Sequence, residues 1–103
     1  MNRGEIWWAE ASSEKRRPYL VLTRQAAVRV LHSVLAAPAT RTVRSIPTEV
    51  ALDEDDGMPA ACALSLDNLV TMPKALLTSR ICRLGLERMS EVCRALNVAR
   101  GCR

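Results

Sequence analysis

A chain of 103 residues with 49% hydrophobic residues can build one modest core and is too short for two. Phe is absent and aromatic residues make up 3%, so that core must be aliphatic, with Trp7, Trp8 and Tyr19 as its few large pieces; dimerisation would help a core this light. The apolar stretch from Leu20 to Ala37 is interrupted by Arg24, Gln25, Arg29 and His32, which excludes a membrane span, and no apolar run near Arg3 and Glu5 reads as a signal peptide.

The net charge of +4 leans toward an anionic partner, and its layout says more than its size. Residues 1–45 carry net +5, residues 46–75 net −5 and residues 76–103 net +4. Fourteen of the fifteen cations therefore lie in the outer segments, which make a basic face if the fold brings them together. Cys62, Cys82, Cys93 and Cys102 show neither a CxxC nor a Cys/His pairing at zinc-site spacing. They read as small buried apolar residues of a reduced, cytoplasmic chain.

In chain order, "GEIWWA" (Gly4–Ala9) and "PYLVLT" (Pro18–Thr23) are short, apolar and rich in strand formers, and the polar "EASSEKRR" between them reads as an exposed loop. Pro18 suits the first position of a strand, where its missing N–H does least harm. "RQAAVRVL" is a weak helical turn or an irregular connection. "SVLAAPAT" (Ser33–Thr40) reads as a third strand and Arg41–Ser45 as a loop. "IPTEVAL" (Ile46–Leu52) alternates as another strand and ends at the turn "DEDDGMP". "CALSLDNLV" and "LLTSRICRL" add strands around Asp67 and Arg80. Beyond Gly85, the spacing of Leu86, Met89, Val92/Cys93 and Leu96 gives one amphipathic C-terminal helix. Five or six strands with connections too short for βαβ crossovers imply a mostly antiparallel barrel or curled sheet, in one domain over residues 1–103.

Three cations, Lys15, Arg16 and Arg17, stand at a strand entrance although they repel one another. Arg17 precedes a proline, which biases its backbone to an extended form, so its guanidinium could grip a phosphate bidentately; a solvated loop is the plainer alternative. Thr40, followed by Arg41 and Arg44, could donate to a phosphate oxygen or simply cap a turn. Asp67 interrupts an apolar stretch, so either a cation meets it or it lines a site. His32 is the only histidine, lacks a tuned partner and reads as structural. The acidic run Asp53–Asp56 fails the EF-hand pattern, which needs Gly where Met58 stands and Glu where Leu64 stands, and reads as a solvated turn. No metal site and no cofactor are expected.

Taken together, "RGEIWWA", "RRPYLVLT", "AAPATRTVRSIPTEVAL", "LDNLVTMPKALLTSRICRL" and a helix rich in Leu and Arg resemble the MazF/PemK family of toxin endoribonucleases, the sequence-selective mRNA interferases. The resemblance runs from Arg3 to about Leu96. It implies an SH3-like antiparallel barrel with a C-terminal helix (α+β, mostly β), and a symmetric homodimer. It also implies metal-independent cleavage of single-stranded RNA and a cognate MazE-like antitoxin whose disordered tail blocks the RNA groove. By the same resemblance, the arginine of the family's R-P pair falls on Arg17, the threonine closing its P-x-T segment on Thr40, and an acid that some members use as base on Asp67. Glu14 is a second candidate base, in place of the Glu of a G-S-E loop that is shortened here. Lys15, Arg16, Arg41 and Arg44 would hold RNA. Some members carry an arginine where Ser65 stands. The residues leave open whether the target is mRNA, tRNA or rRNA. They equally allow a non-catalytic binding module or a gyrase-directed toxin on the same scaffold.

Overall fold

A computed structural model describes residues 1–10 and 16–101 of the chain. Its strands are β1 (Glu5–Ala9), β2 (Arg17–Val21), β3 (Ser33–Thr40), β4 (Glu49–Leu52), β5 (Cys62–Ser65), β6 (Val70–Pro73) and β7 (Leu77–Arg83), with helices α1 (Gln25–Val28) and α2 (Leu86–Arg100). All pairings are antiparallel, in the order β4-β5-β3-β2-β1-β7, with β6 on β3. The sheet curls without closing into a full barrel, and α2 packs against it.

Strand alternation divides the apolar residues between two clusters. Ile6, Leu20, Ala37 and Ala39 enter the larger one, which is closed by Val92 and Ala95 of α2. Trp7, Tyr19, Val21 and Val34 enter the smaller one, under Val28 of α1.

β3 is the spine. One of its edges pairs with β2, and the other is shared by β6, along Ser33–Ala36, and β5, along Ala39–Thr40. The hand-over from β5 to β6 breaks the single strand expected for "CALSLDNLV" in two, giving seven strands rather than five or six. The cause is local: the Asn68 amide donates to Ser65 Oγ at 2.7 Å and Thr48 Oγ1 donates to Asp67 Oδ2 at 2.5 Å, which holds the polar pair in a turn. β4 is also shorter than expected. Ile46–Thr48 form a turn closed by Glu49 N–H to Ile46 O at 3.0 Å, so the ladder begins at Glu49.

α2 runs as its periodicity predicts, but Leu86 is 90% exposed. Six residues at 100° each turn it well away from the buried Val92. Cys93 is exposed as well, Cys82 is half-buried, and only Cys62 fits the expectation of a buried cysteine; Cys102 lies outside the described residues.

Candidate nucleic-acid interface

The N-terminal end of β2 and the C-terminal end of β3 meet at one end of the sheet. The β2–β3 register runs Val21↔Ala36, Leu20↔Ala37, Tyr19↔Pro38, and Arg17 and Thr40 each lie two residues beyond its last pair. Both line a groove of about 780 Å³ together with Trp8, Arg16, Arg41 and Thr42, and the segment Met58–Cys62 forms another part of its wall. Three of the lining residues are arginines, and none of the described lining residues is acidic. Arg16, Arg17 and Arg41 are all exposed, and among the described residues no carboxylate shares the groove with them.

The backbone N–H of Thr42 donates to Thr40 Oγ1 at 3.2 Å. That bond uses one lone pair of the hydroxyl and leaves its proton available to donate into the groove. The turn-capping and phosphate-donor roles considered for Thr40 are therefore compatible. The guanidinium carbon of Arg16 lies 4.6 Å from the centroid of the Trp8 ring, within cation–π range.

The wall has its own anchor. Asp53 and Asp56 form a reciprocal capping box on the short helix Glu54–Asp56, and Arg88 Nε donates to Asp56 Oδ1 at 2.9 Å. Burial of Asp56 opposes its ionisation, but the bonds from Arg88 and the Asp53 N–H outweigh it and hold its carboxyl below the usual range. The acidic run is thus a structural turn, as its sequence suggests. Gly57, at φ 96°, then passes so close to β7 that an added Cβ would lie 2.8 Å from Cys82 Cβ. Cys62 sits buried at the end of the wall; burial, and after it the charge of Asp56, push its thiol up, so it stays protonated at neutral pH.

A model of the PemK-like, MazF-like toxin of type II toxin-antitoxin systems matches residues 2–99. The chain belongs to this family. Among its relatives, the probable endoribonuclease MazF5 of Mycobacterium tuberculosis is 42% identical over 101 residues, covering 97% of this chain and 93% of the relative. Of solved structures, the Mycobacterium tuberculosis toxin MazF-mt6 superposes with a TM-score of 0.88 at 32% identity, over 96% of this chain and 98% of that one. A mycobacterial endoribonuclease in complex with its cognate antitoxin superposes with a TM-score of 0.89 at 27% identity, over 98% and 95%.

Of the residues that the family resemblance singles out, the structure brings Arg16, Arg17, Thr40 and Arg41 into one groove. Arg44 is not among the lining residues; it lies in the loop beyond Arg41, its backbone N–H donating to Glu49 Oε1 at 2.9 Å. Asp67 lies at the β5–β6 turn, bonded to Thr48, and is not among the lining residues either. Glu14 and Lys15 fall outside the described residues. His32 is exposed between α1 and β3, away from the groove lining. Among the described residues, no group of three His, Cys, Asp or Glu side chains is placed to hold a metal ion, and no helix is long and apolar enough to cross a membrane.

Among the described residues the outer basic segments meet only in part. The groove cations all come from residues 1–45, while Arg80 pairs with Glu5 and Arg88 with Asp56 and Glu91. Arg3 meets Arg83 and Arg94 in a separate cleft beside the start of α2.

Sequence reasoning missed Trp8 and the Met58–Cys62 wall. Trp8 read as core because tryptophan usually is core. Its signal was the alternation itself, since Trp7 and Trp8 must face opposite ways on one strand.

Proposed function

We infer that this chain is the toxin of a type II toxin-antitoxin system and cuts single-stranded RNA through attack of a ribose 2′-OH on the adjacent phosphorus. The O–P bond to the 5′ oxygen of the next nucleotide breaks, leaving a 2′,3′-cyclic phosphate and a 5′-OH. The observation that carries this reading is the Arg17–Thr40 pair in a groove with three arginines and no described carboxylate. Arg17 would lie against the two non-bridging oxygens and stabilise the charge that builds on them in the phosphorane, and Thr40 would donate to one of them.

The 2′-OH proton needs a base and the leaving oxygen a proton. Glu14 precedes Arg17 by three residues, a reach of at most about 11 Å, so we place it first as the base. Asp67 comes second because its carboxylate already accepts from Thr48. Arg41 and Arg44 extend the track for the strand beyond the cut. The span of the family match, residues 2–99, supports one toxin domain over the whole chain. A MazE-like antitoxin, a homodimer and a cytoplasmic location complete the reading.

The test uses labelled RNA of mixed sequence, followed by an oligonucleotide carrying one cut site. Discrete fragments with cyclic phosphate ends are expected, in excess EDTA as without it. Replacing the single ribose 5′ to the cut by deoxyribose should abolish cleavage there while binding persists. Cleavage that tolerates the deoxy substitution and stops in EDTA would overturn the mechanism.

A further inference from the structure

We propose that Trp8, with Arg16 laid on it, is a stacking platform for one unpaired base next to the Arg17–Thr40 pair, and that the groove selects single-stranded RNA through it. This rests on the nuclease reading above.

The two adjacent tryptophans have separate tasks. Trp7 turns to the smaller apolar cluster and its Nε1 donates to the buried Glu5 at 3.0 Å. Trp8 is half-buried and is the only aromatic residue among the described residues lining the groove. The Arg16 guanidinium covers it at 4.6 Å. Pro59, Ala60 and Ala61, small and uncharged, line the same groove. A nucleobase, flat and weakly polar on its faces, suits such a ring in a groove otherwise lined by small uncharged residues, while its phosphate reaches Arg17. A base inside a duplex cannot enter, because its faces are covered by its neighbours.

Guanidinium and base compete for the same surface, since both stack on an indole. An arriving base takes the place of Arg16, whose charge turns to the adjacent phosphate. The ring is then covered in the free and the bound protein alike. Every base has a π face, so the platform demands an unpaired base at that position without dictating which one.

The experiment measures binding of an oligonucleotide made uncleavable by deoxyribose at the cut, with an abasic residue placed at each position in turn. Wild type should lose affinity on the order of 10-fold at one position beside the cut. In Trp8→Ala that particular penalty should vanish, and in Trp8→Phe most of it should remain. Arg16→Ala should lower the slope of log affinity against log salt by about one. Equal abasic penalties in wild type and Trp8→Ala at every position would overturn the platform and leave the nuclease reading standing. A wild type that neither binds nor cuts RNA would overturn both. If Trp8→Ala does not stay folded at the assay temperature, Trp8→Leu, which keeps apolar bulk without a π face, replaces it with the same two outcomes.

Discussion

Arg17 and Thr40, twenty-three positions apart in the chain, line one groove just beyond the end of the β2–β3 ladder, one carrying a cation and the other a hydroxyl with one lone pair already occupied. The groove needs no further fold element to make this pair. It needs only that two strands start and stop where they do.

Arg17→Ala should therefore cut RNA on the order of 10²-fold more slowly in kcat, the cost of one lost transition-state contact. Arg17 is exposed, so the melting temperature should stay within a degree or two. A variant keeping more than about a tenth of the wild-type rate would remove Arg17 from the reaction.

Thr40→Val keeps the shape and removes the hydroxyl, which should slow single-turnover cleavage about 10-fold, the scale of one hydrogen bond. Thr40→Ser should restore most of it. If Val and Ser variants cleave alike, the hydroxyl serves only the turn with Thr42.

Stability should carry an acid limb that belongs to Glu5. Glu5 is buried on β1 and burial alone would raise its pKa, yet donors from Trp7, Asn2 and Arg80 overcome that and bring it to about 2 from 4.5. A folded pKa below the unfolded one means stability that is whole above about pH 4.5 and is lost as pH falls toward 2. The difference corresponds to at most about 3.5 kcal/mol. Chemical denaturation between pH 2 and 7 should show this limb in wild type and a flatter one in Glu5→Gln, which should be less stable at pH 7. A limb of unchanged height in Glu5→Gln would assign it to other carboxylates.

Gly57→Ala should cost about 2 kcal/mol or more, because it adds a left-handed alanine and a contact with Cys82 that must give way. The clashing atom is Cys82 Cβ, so Cys82→Ala should not rescue it. Thermal melts of the single and double variants decide this.

Much of the fold was legible because its strands announce themselves by short apolar runs between polar breaks: β3 lies where "SVLAAPAT" says, and α2 begins just after Gly85. What misled was an apolar run with a polar pair inside it. "CALSLDNLV" has strand composition throughout, and only the hand-over between two partners on one edge of β3 reveals that Asp67 and Asn68 turn the chain. The same turn keeps Asp67 out of the groove lining, so its position between two long-range ladders, which no local pattern encodes, governs its candidacy as a base. Arg17 and Thr40 were legible from short motifs shared with a known family. Trp8 was not, since a tryptophan in a strand looks the same whether it faces a core or a ligand.

β3 is held by ladders along both edges, whereas Pro59–Ala61 belong to no ladder at all. The two parts of the groove thus tolerate substitution differently. Changes in β3 disturb its ladders and so the fold, whereas changes at Pro59–Ala61 alter the outline of the groove and leave the ladders intact. On the nuclease reading, the segment Pro59–Ala61 can therefore change the fit of the groove to its RNA without touching the ladders that hold Thr40 in β3.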